Sequence, residues 1–182
     1  MNAFLAKYGE REDLNQYWYS DPTIKVMVDE VLNNSKKACF LSTPSIYFSL
    51  PKKSEVRAAS WLFDLDDQWA NLPNYFKYNY NFPEQIPKDL HGTFDYVVID
   101  PPFITEEVWE KYAVATKMLL SPNGKILLTT IHENAPMLDR ILGVKPNVFK
   151  PSIPHLVYQY SLYTNYESEQ LDERNPEIPD WD

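Results

Sequence analysis

Seven short apolar runs punctuate this sequence, and stretches with helical periodicity fall between several of them, which restricts the chain to a few layered α/β architectures. The runs cover residues 38–42, 58–66, 76–80, 96–100, 125–131, 144–150 and 156–163. Between the fourth and fifth, Val108, Tyr112, Ala115, Met118 and Leu119 recur at helical spacing over residues 106–120, and Pro122-Asn123-Gly124 follows as a turn. Residues 136–142 predict another helix, stopped at Gly143. Ser20-Asp21-Pro22 supplies a capping oxygen and a proline suited to a first turn, so a helix is expected over residues 22–33 with Ile24, Met27, Val28, Val31 and Leu32 on its packing face. Runs such as Tyr96-Val97-Val98-Ile99 are apolar at every position, the pattern of strands covered on both faces. The expected fold is therefore α/β: a doubly wound, mainly parallel seven-stranded sheet. The last two strands have only Ser152 to His155 between them, which gives a C-terminal antiparallel hairpin.

With 182 residues, 44% of them hydrophobic, the chain can enclose one sizeable core but not two ordinary ones. One domain is expected over residues 1–166. Residues 167–182 carry Glu167, Glu169, Asp172, Glu173, Glu177, Asp180 and Asp182 against Arg174 alone, and read as an acidic, flexible tail. Six of the nine net negative charges lie in that tail. The acidic balance argues against nucleic acid as a partner, and the only basic clusters are the pairs Lys36-Lys37 and Lys52-Lys53. No run approaches the roughly 18 apolar residues of a membrane span, and the polar N-terminus is not a signal peptide. Cys39, the single cysteine, sits in an apolar run and reads as a small buried hydrophobe in a reducing compartment. These features predict a soluble, cytoplasmic monomer. His91, His132 and His155 are too widely spaced for a metal site, and no metal is expected.

In a doubly wound sheet, ligands bind beyond the carboxyl ends of the strands. Three segments converge there: Ser42-Thr43-Pro44-Ser45-Ile46-Tyr47 after the first strand, Phe63-Asp64-Leu65-Asp66 at the end of the second, and Asp100-Pro101-Pro102-Phe103 after the fourth. The last is a rigid set of acceptors, because proline restricts both itself and its predecessor. An amino group held by the Asp100 carboxylate and the Pro101 carbonyl would aim its lone pair outward at an electrophilic methyl, with Phe103 lying against a base or an alkyl-ammonium group. The competing reading is a plain strand-ending turn, for which two prolines also serve. The apolar strand before the motif and the helix after it favour the site.

Together with Gln16-Tyr17-Trp18-Tyr19-Ser20, the segments 42–47, 63–66 and 94–103 resemble the elongation factor 1-alpha lysine methyltransferases. These are Rossmann-like, seven-strand enzymes with an Asp-Pro-Pro-Phe motif, formerly classed with adenine methyltransferases. The resemblance runs from about Gln16 to Tyr166 and implies S-adenosylmethionine as cofactor and a protein lysine, probable substrate elongation factor 1-alpha, as acceptor. It implies that Gln16, Trp18, Tyr19 and Ser20 wall the cofactor, that Ser42, Thr43, Pro44 and Ser45 surround its amino-acid part, and that a carboxylate, Asp66 before Asp64, binds the ribose. Asn79 and Asn81 would lie near the adenine, and Asp100, Pro101, Pro102 and Phe103 would hold the amine, with Trp109 and His155 beside the substrate. The segment 42–47 lacks the glycines of most methyltransferases, a variant typical of this narrower family. Lysine adds a requirement: its ammonium, with an unperturbed pKa near ~10.4, must lose a proton first. Two other readings stay open, an adenine amino-methyltransferase acting on RNA or DNA and a non-catalytic cofactor-binding subunit. The acidic balance weighs against the first and the intact motif against the second.

Overall fold

In a computed structural model, residues 1–179 are described, and Asp180 to Asp182 lie outside the described residues. The elements in chain order are α1 (Ala3–Lys7), α2 (Asp21–Asn34), β1 (Ala38–Leu41), α3 (Pro44–Ser49), α4 (Glu55–Ala59), β2 (Trp61–Asp64), β3 (Tyr75–Lys77), β4 (Phe94–Ile99), α5 (Glu106–Leu119), β5 (Leu120–Ile131), α6 (Ala135–Leu142), β6 (Lys145–Pro146) and β7 (Tyr160–Thr164). They build one seven-stranded sheet in the order β3-β2-β1-β4-β5-β7-β6. β1 to β5 pair in parallel, whereas β7 runs antiparallel to both β5 and β6. This is the doubly wound arrangement with a closing antiparallel hairpin.

Alternation along the central strands sorts side chains into two cores. Tyr96 and Val98 of β4 join Phe40 of β1 beneath α2 and α3, while Val97 and Ile99 join Cys39 and Leu41 beneath α5 and α6. α2 begins where expected: Ser20 Oγ accepts from Thr23 N at 3.3 Å, and Ile24, Met27, Val28 and Val31 are buried. Several bounds differ from the sequence reading. Residues 58–60 belong to α4 and the bend after it rather than to β2, since Ser54 caps a short helix by accepting from Arg57 N. β5 starts at Leu120, and the 122–124 turn bulges out of its ladder between Leu120, paired with Phe94, and Lys125, paired with Tyr96. β6 shrinks to two residues. Of the segment 42–47, expected as the loop after the first strand, residues from Pro44 on belong to the helix α3, which starts there as a fixed first turn permits.

The segment expected to be a flexible tail lies, as far as residue 179, along α2. Glu30, almost completely buried on α2, accepts hydrogen bonds from Tyr166 Oη (2.9 Å), Ser168 Oγ (2.8 Å) and Gln170 Nε2 (2.7 Å). Tyr166 Oη also pairs with Tyr96 Oη at 2.6 Å, and Leu171 is fully buried. Ser20 Oγ then donates to Glu177 at 2.6 Å, so the segment ends against the start of α2. One buried carboxylate with three donors thus holds a stretch whose own charge suggests none of this. Glu30→Ala leaves those donors unpaired and is expected to cost about 3 kcal/mol, which lowers the melting temperature by roughly 6–12 °C in a chain of this size. Calorimetry checks it, and an unchanged melting temperature would show that the segment is not held there.

Candidate active site

The carboxyl ends of β1 to β4 open into a cleft of about 270 Å³. Its wall holds Ser42 to Ser45 after β1, Asp64 and Leu65 after β2, Tyr78 to Asn81 after β3 and Asp100 to Phe103 after β4. An N-terminal arm, residues 13–19, crosses the top, and Tyr112, Ile153, Leu156 and Tyr160 close the remaining side. Among the described residues, the lining contains Asp13, Asp64 and Asp100 and no Lys, Arg or His.

Where a glycine is usual after β1, Ser42 takes the left-handed conformation at φ 61°. This costs a residue with a Cβ of order 1 kcal/mol, offset in part by the bond of 2.8 Å between Ser42 Oγ and Tyr112 Oη. The glycine-free segment therefore makes the same bend by a different route. Two polar atoms in the wall, Thr43 Oγ1 and Tyr78 Oη, are buried without a partner. Buried polar atoms are normally paired, so these fit a ligand that brings its own donors and acceptors.

Sequence reasoning favoured Asp66 over Asp64 for the ribose hydroxyls, whereas in the structure Asp64 and not Asp66 lines the cleft. Asp66 does not line the cleft, and its carboxylate is saturated by Arg11 Nη1 (3.0 Å), Gln16 Nε2 (2.9 Å), Gln68 N (3.1 Å) and Gln68 Nε2 (2.6 Å). Burial pushes its pKa up, but these donors outweigh burial and hold it below the usual carboxylate range. Asp64 does line the cleft. Its Oδ1 accepts from Asp66 N at 2.9 Å, and burial, augmented by the Asp66 charge, raises its pKa to about 7.

Asp100 sits half-buried at the floor, its backbone anchored by Asp100 N to Leu41 O at 3.2 Å. Desolvation raises its pKa to about 8, against a lowering by the hydrogen bond from Tyr19. Tyr19 Oη is also 2.6 Å from Thr129 Oγ1 on β5, which fixes the ring under the acceptor corner. Phe103 is 51% exposed in the cleft wall, which Tyr17 of the arm also lines.

The other expected site residues divide. Gln16, Trp18, Tyr19, Ser42, Thr43, Pro44, Ser45, Asn79, Asn81, Pro101 and Pro102 all line the cleft. Ser20 does not, being occupied as the cap of α2. Trp109 is fully buried in the core under α5 and so cannot wall a substrate. His155 is turned outward, its side chain 74% exposed and paired with Glu10, while its neighbours Ile153 and Leu156 face the cleft. Sequence reasoning missed Asn15 and placed Tyr112 and Tyr160 among packing residues. For Tyr112 and Tyr160, core periodicity masked the polar ends that reach the cleft.

Because the carboxyls of Asp64 and Asp100 bind protons more tightly in the folded chain than in the unfolded one, their contribution to stability falls as pH rises from about 4 through the folded values of about 7 and about 8, while that of Asp66, held low, is lost only below about 4. The ligand-free protein is expected to melt roughly 5 °C or more lower at pH 8 than at pH 5.5. A melting temperature that rises over this range would contradict the environment described for both groups.

Sheet order, cleft position and the carboxylate-diproline-aromatic corner together define an S-adenosylmethionine-dependent methyltransferase. Solved structures bear out the fold. A Leishmania major S-adenosylmethionine-dependent methyltransferase, 14% identical, superposes at a TM-score of 0.53 over 84% of this chain and 80% of its own. A Burkholderia thailandensis 1,6-didemethyltoxoflavin-N1-methyltransferase with bound S-adenosylhomocysteine, 12% identical, gives 0.52 over 79% and 76%. The chain belongs to the family described as probable N6-adenine methyltransferase, whose model matches residues 10–168. Its relatives include EEF1A lysine methyltransferase 1 of Danio rerio, 34% identical over 168 residues, which are 87% of this chain and 99% of the relative. A protein-lysine N-methyltransferase of Dictyostelium discoideum is 33% identical over 87% of this chain and 78% of its own. The human EEF1A lysine methyltransferase 1 is 31% identical over 87% and 76%.

Proposed function

We propose that this enzyme methylates a lysine side-chain nitrogen of translation elongation factor 1-alpha. The observation that carries the reading is the make-up of the cleft: three aspartates line it and no cationic side chain does. A polynucleotide backbone would meet repulsion there, whereas an ammonium group would be drawn in. The names of the relatives, protein-lysine and EEF1A lysine methyltransferases, support the same substrate. A reducing, cytoplasmic location is consistent with the single buried thiol, Cys39.

S-adenosylmethionine, when bound, supplies the electrophilic methyl carbon. Asp64 would hold its ribose hydroxyls, Thr43 and Ser45 its amino-acid end, and the Tyr78 to Asn81 segment the base. The chain's own contribution is at the amine. An ordinary carboxylate near pKa ~4 is a poor base for an ammonium near ~10.4. Desolvation brings the two together, raising Asp100 and lowering a lysine that enters the same apolar corner. The step runs from the ionised form of Asp100, a fraction that grows as pH rises toward 8: the proton passes from Nζ to that carboxylate, and the neutral nitrogen, donating to Asp100 and to the Pro101 carbonyl, presents its lone pair to the cleft. Exposed Tyr17 and Phe103 offer an apolar rim for the lysine stem and its flanking residues.

The test offers labelled cofactor in parallel to purified elongation factor 1-alpha, total RNA and DNA, then maps the labelled residue. Label on a lysine of the protein is expected. Label confined to adenine in RNA or DNA would replace this reading with the family's other described activity.

A further inference from the structure

The arm over the cleft is fastened to two different strand ends, and the fastenings reach opposite halves of the site. At the β2 end, Arg11 and Gln16 hold Asp66. At the β4 end, the Asn15 side-chain amide donates to the Pro102 carbonyl, 87 positions further along the chain. Asn15 itself stands in the left-handed region at φ 53°, ψ 41°, which asparagine tolerates better than most residues with a Cβ. Its backbone amide closes the turn onto Glu12 O at 3.0 Å, and that turn aims the side chain across the cleft.

The acceptor corner needs such a tie. Two consecutive prolines have no N–H to donate, so the corner is anchored before them by Asp100 N to Leu41 O and after them by Asn134 Nδ2 to Ile104 O at 3.0 Å. Between these points the Asn15 amide holds the peptide that leads from Pro102 into Phe103. Methyl transfer requires the nitrogen in line with the methyl carbon, and displacement of the groups that hold it lowers the rate steeply.

We propose that Asn15 is a positioning residue, tying the acceptor corner to the arm so that the nitrogen is aligned only when the arm lies across the cleft. This rests on the methyltransferase reading of the cleft and extends it to a residue with no acid, base or nucleophilic chemistry of its own. Bound cofactor beneath the arm would thereby favour the aligned corner before the lysine arrives.

Asn15→Gly tests the proposal, because glycine keeps the left-handed turn and deletes only the amide. Asn15→Asp keeps size and turn but cannot donate when ionised. Both are expected to lower kcat about tenfold. The Kd for S-adenosylmethionine, read from quenching of tryptophan emission, should stay within about twofold, since Asp66 still holds Arg11 and Gln16. In Asn15→Gly the Asp100 amide, hydrogen-bonded to Leu41 O, should also exchange with deuterium faster than in the wild type. Wild-type kcat in Asn15→Gly would overturn the proposal, as would a loss of cofactor affinity equal to the loss of kcat, or unchanged exchange at that amide. A wild-type enzyme that labels no lysine would defeat the substrate reading instead, and the exchange measurement would still decide the role of Asn15.

Discussion

Asp100→Ala is expected to lower turnover roughly 10³-fold or more while leaving S-adenosylmethionine affinity nearly intact. The loss has two components, the acceptor that orients the amine and the base that takes its proton. Asp100→Asn separates them, because an amide preserves an acceptor oxygen but binds no proton in this range. If proton transfer dominates, Asp100→Asn should be strongly impaired at pH 7 and recover as pH approaches that of free lysine amine, about 10. If orientation dominates, its activity should stay near wild type at every pH. Wild-type turnover by Asp100→Ala would remove Asp100 from the chemistry altogether.

Asp64→Ala should act on the cofactor. With Asp64 in the proposed role of ribose acceptor, its loss is expected to weaken S-adenosylmethionine binding roughly 30- to 100-fold by calorimetry. The folded protein should lose no stability through this charge, because burial holds the Asp64 pKa near 7 and the ionised group opposes folding. Asp66→Ala should do the reverse: it releases Arg11, Gln16 and Gln68 and lowers the melting temperature more than the cofactor affinity. The opposite pattern, with Asp66 governing affinity and Asp64 stability, would restore the assignment that sequence alone favoured.

That difference between the two acids shows where the sequence stops being informative. β4 and α5 could be read from Tyr96 to Ile99 and from the Val108, Tyr112 and Ala115 stripe because local periodicity dictates burial. The Asp100 corner was legible for a related reason: an acid and two prolines at a strand end have few purely structural uses. Asp64 and Asp66 differ in nothing local, being two acids two positions apart. What separates them is Arg11 and Gln16, 55 and 50 positions before Asp66, and no pattern within one segment encodes that pairing. The segment after Tyr166 follows the same logic. Its charge predicts solvation, and partners distant in the chain, Glu30 on α2 (136 positions before Tyr166) and Ser20 at the start of that helix, explain why it is held. Trp109 was misplaced because its helix does begin at the acceptor loop, but its position on the stripe points it into the core.

The proton balance at Asp100 is measured most directly by ¹³C NMR titration of its side-chain carboxyl, assigned by comparison with Asp100→Asn. A midpoint near 8 in the free protein is the expected result. A midpoint near 4, that of a solvated carboxylate, would mean that Asp100 cannot take the proton from lysine and would contradict the mechanism.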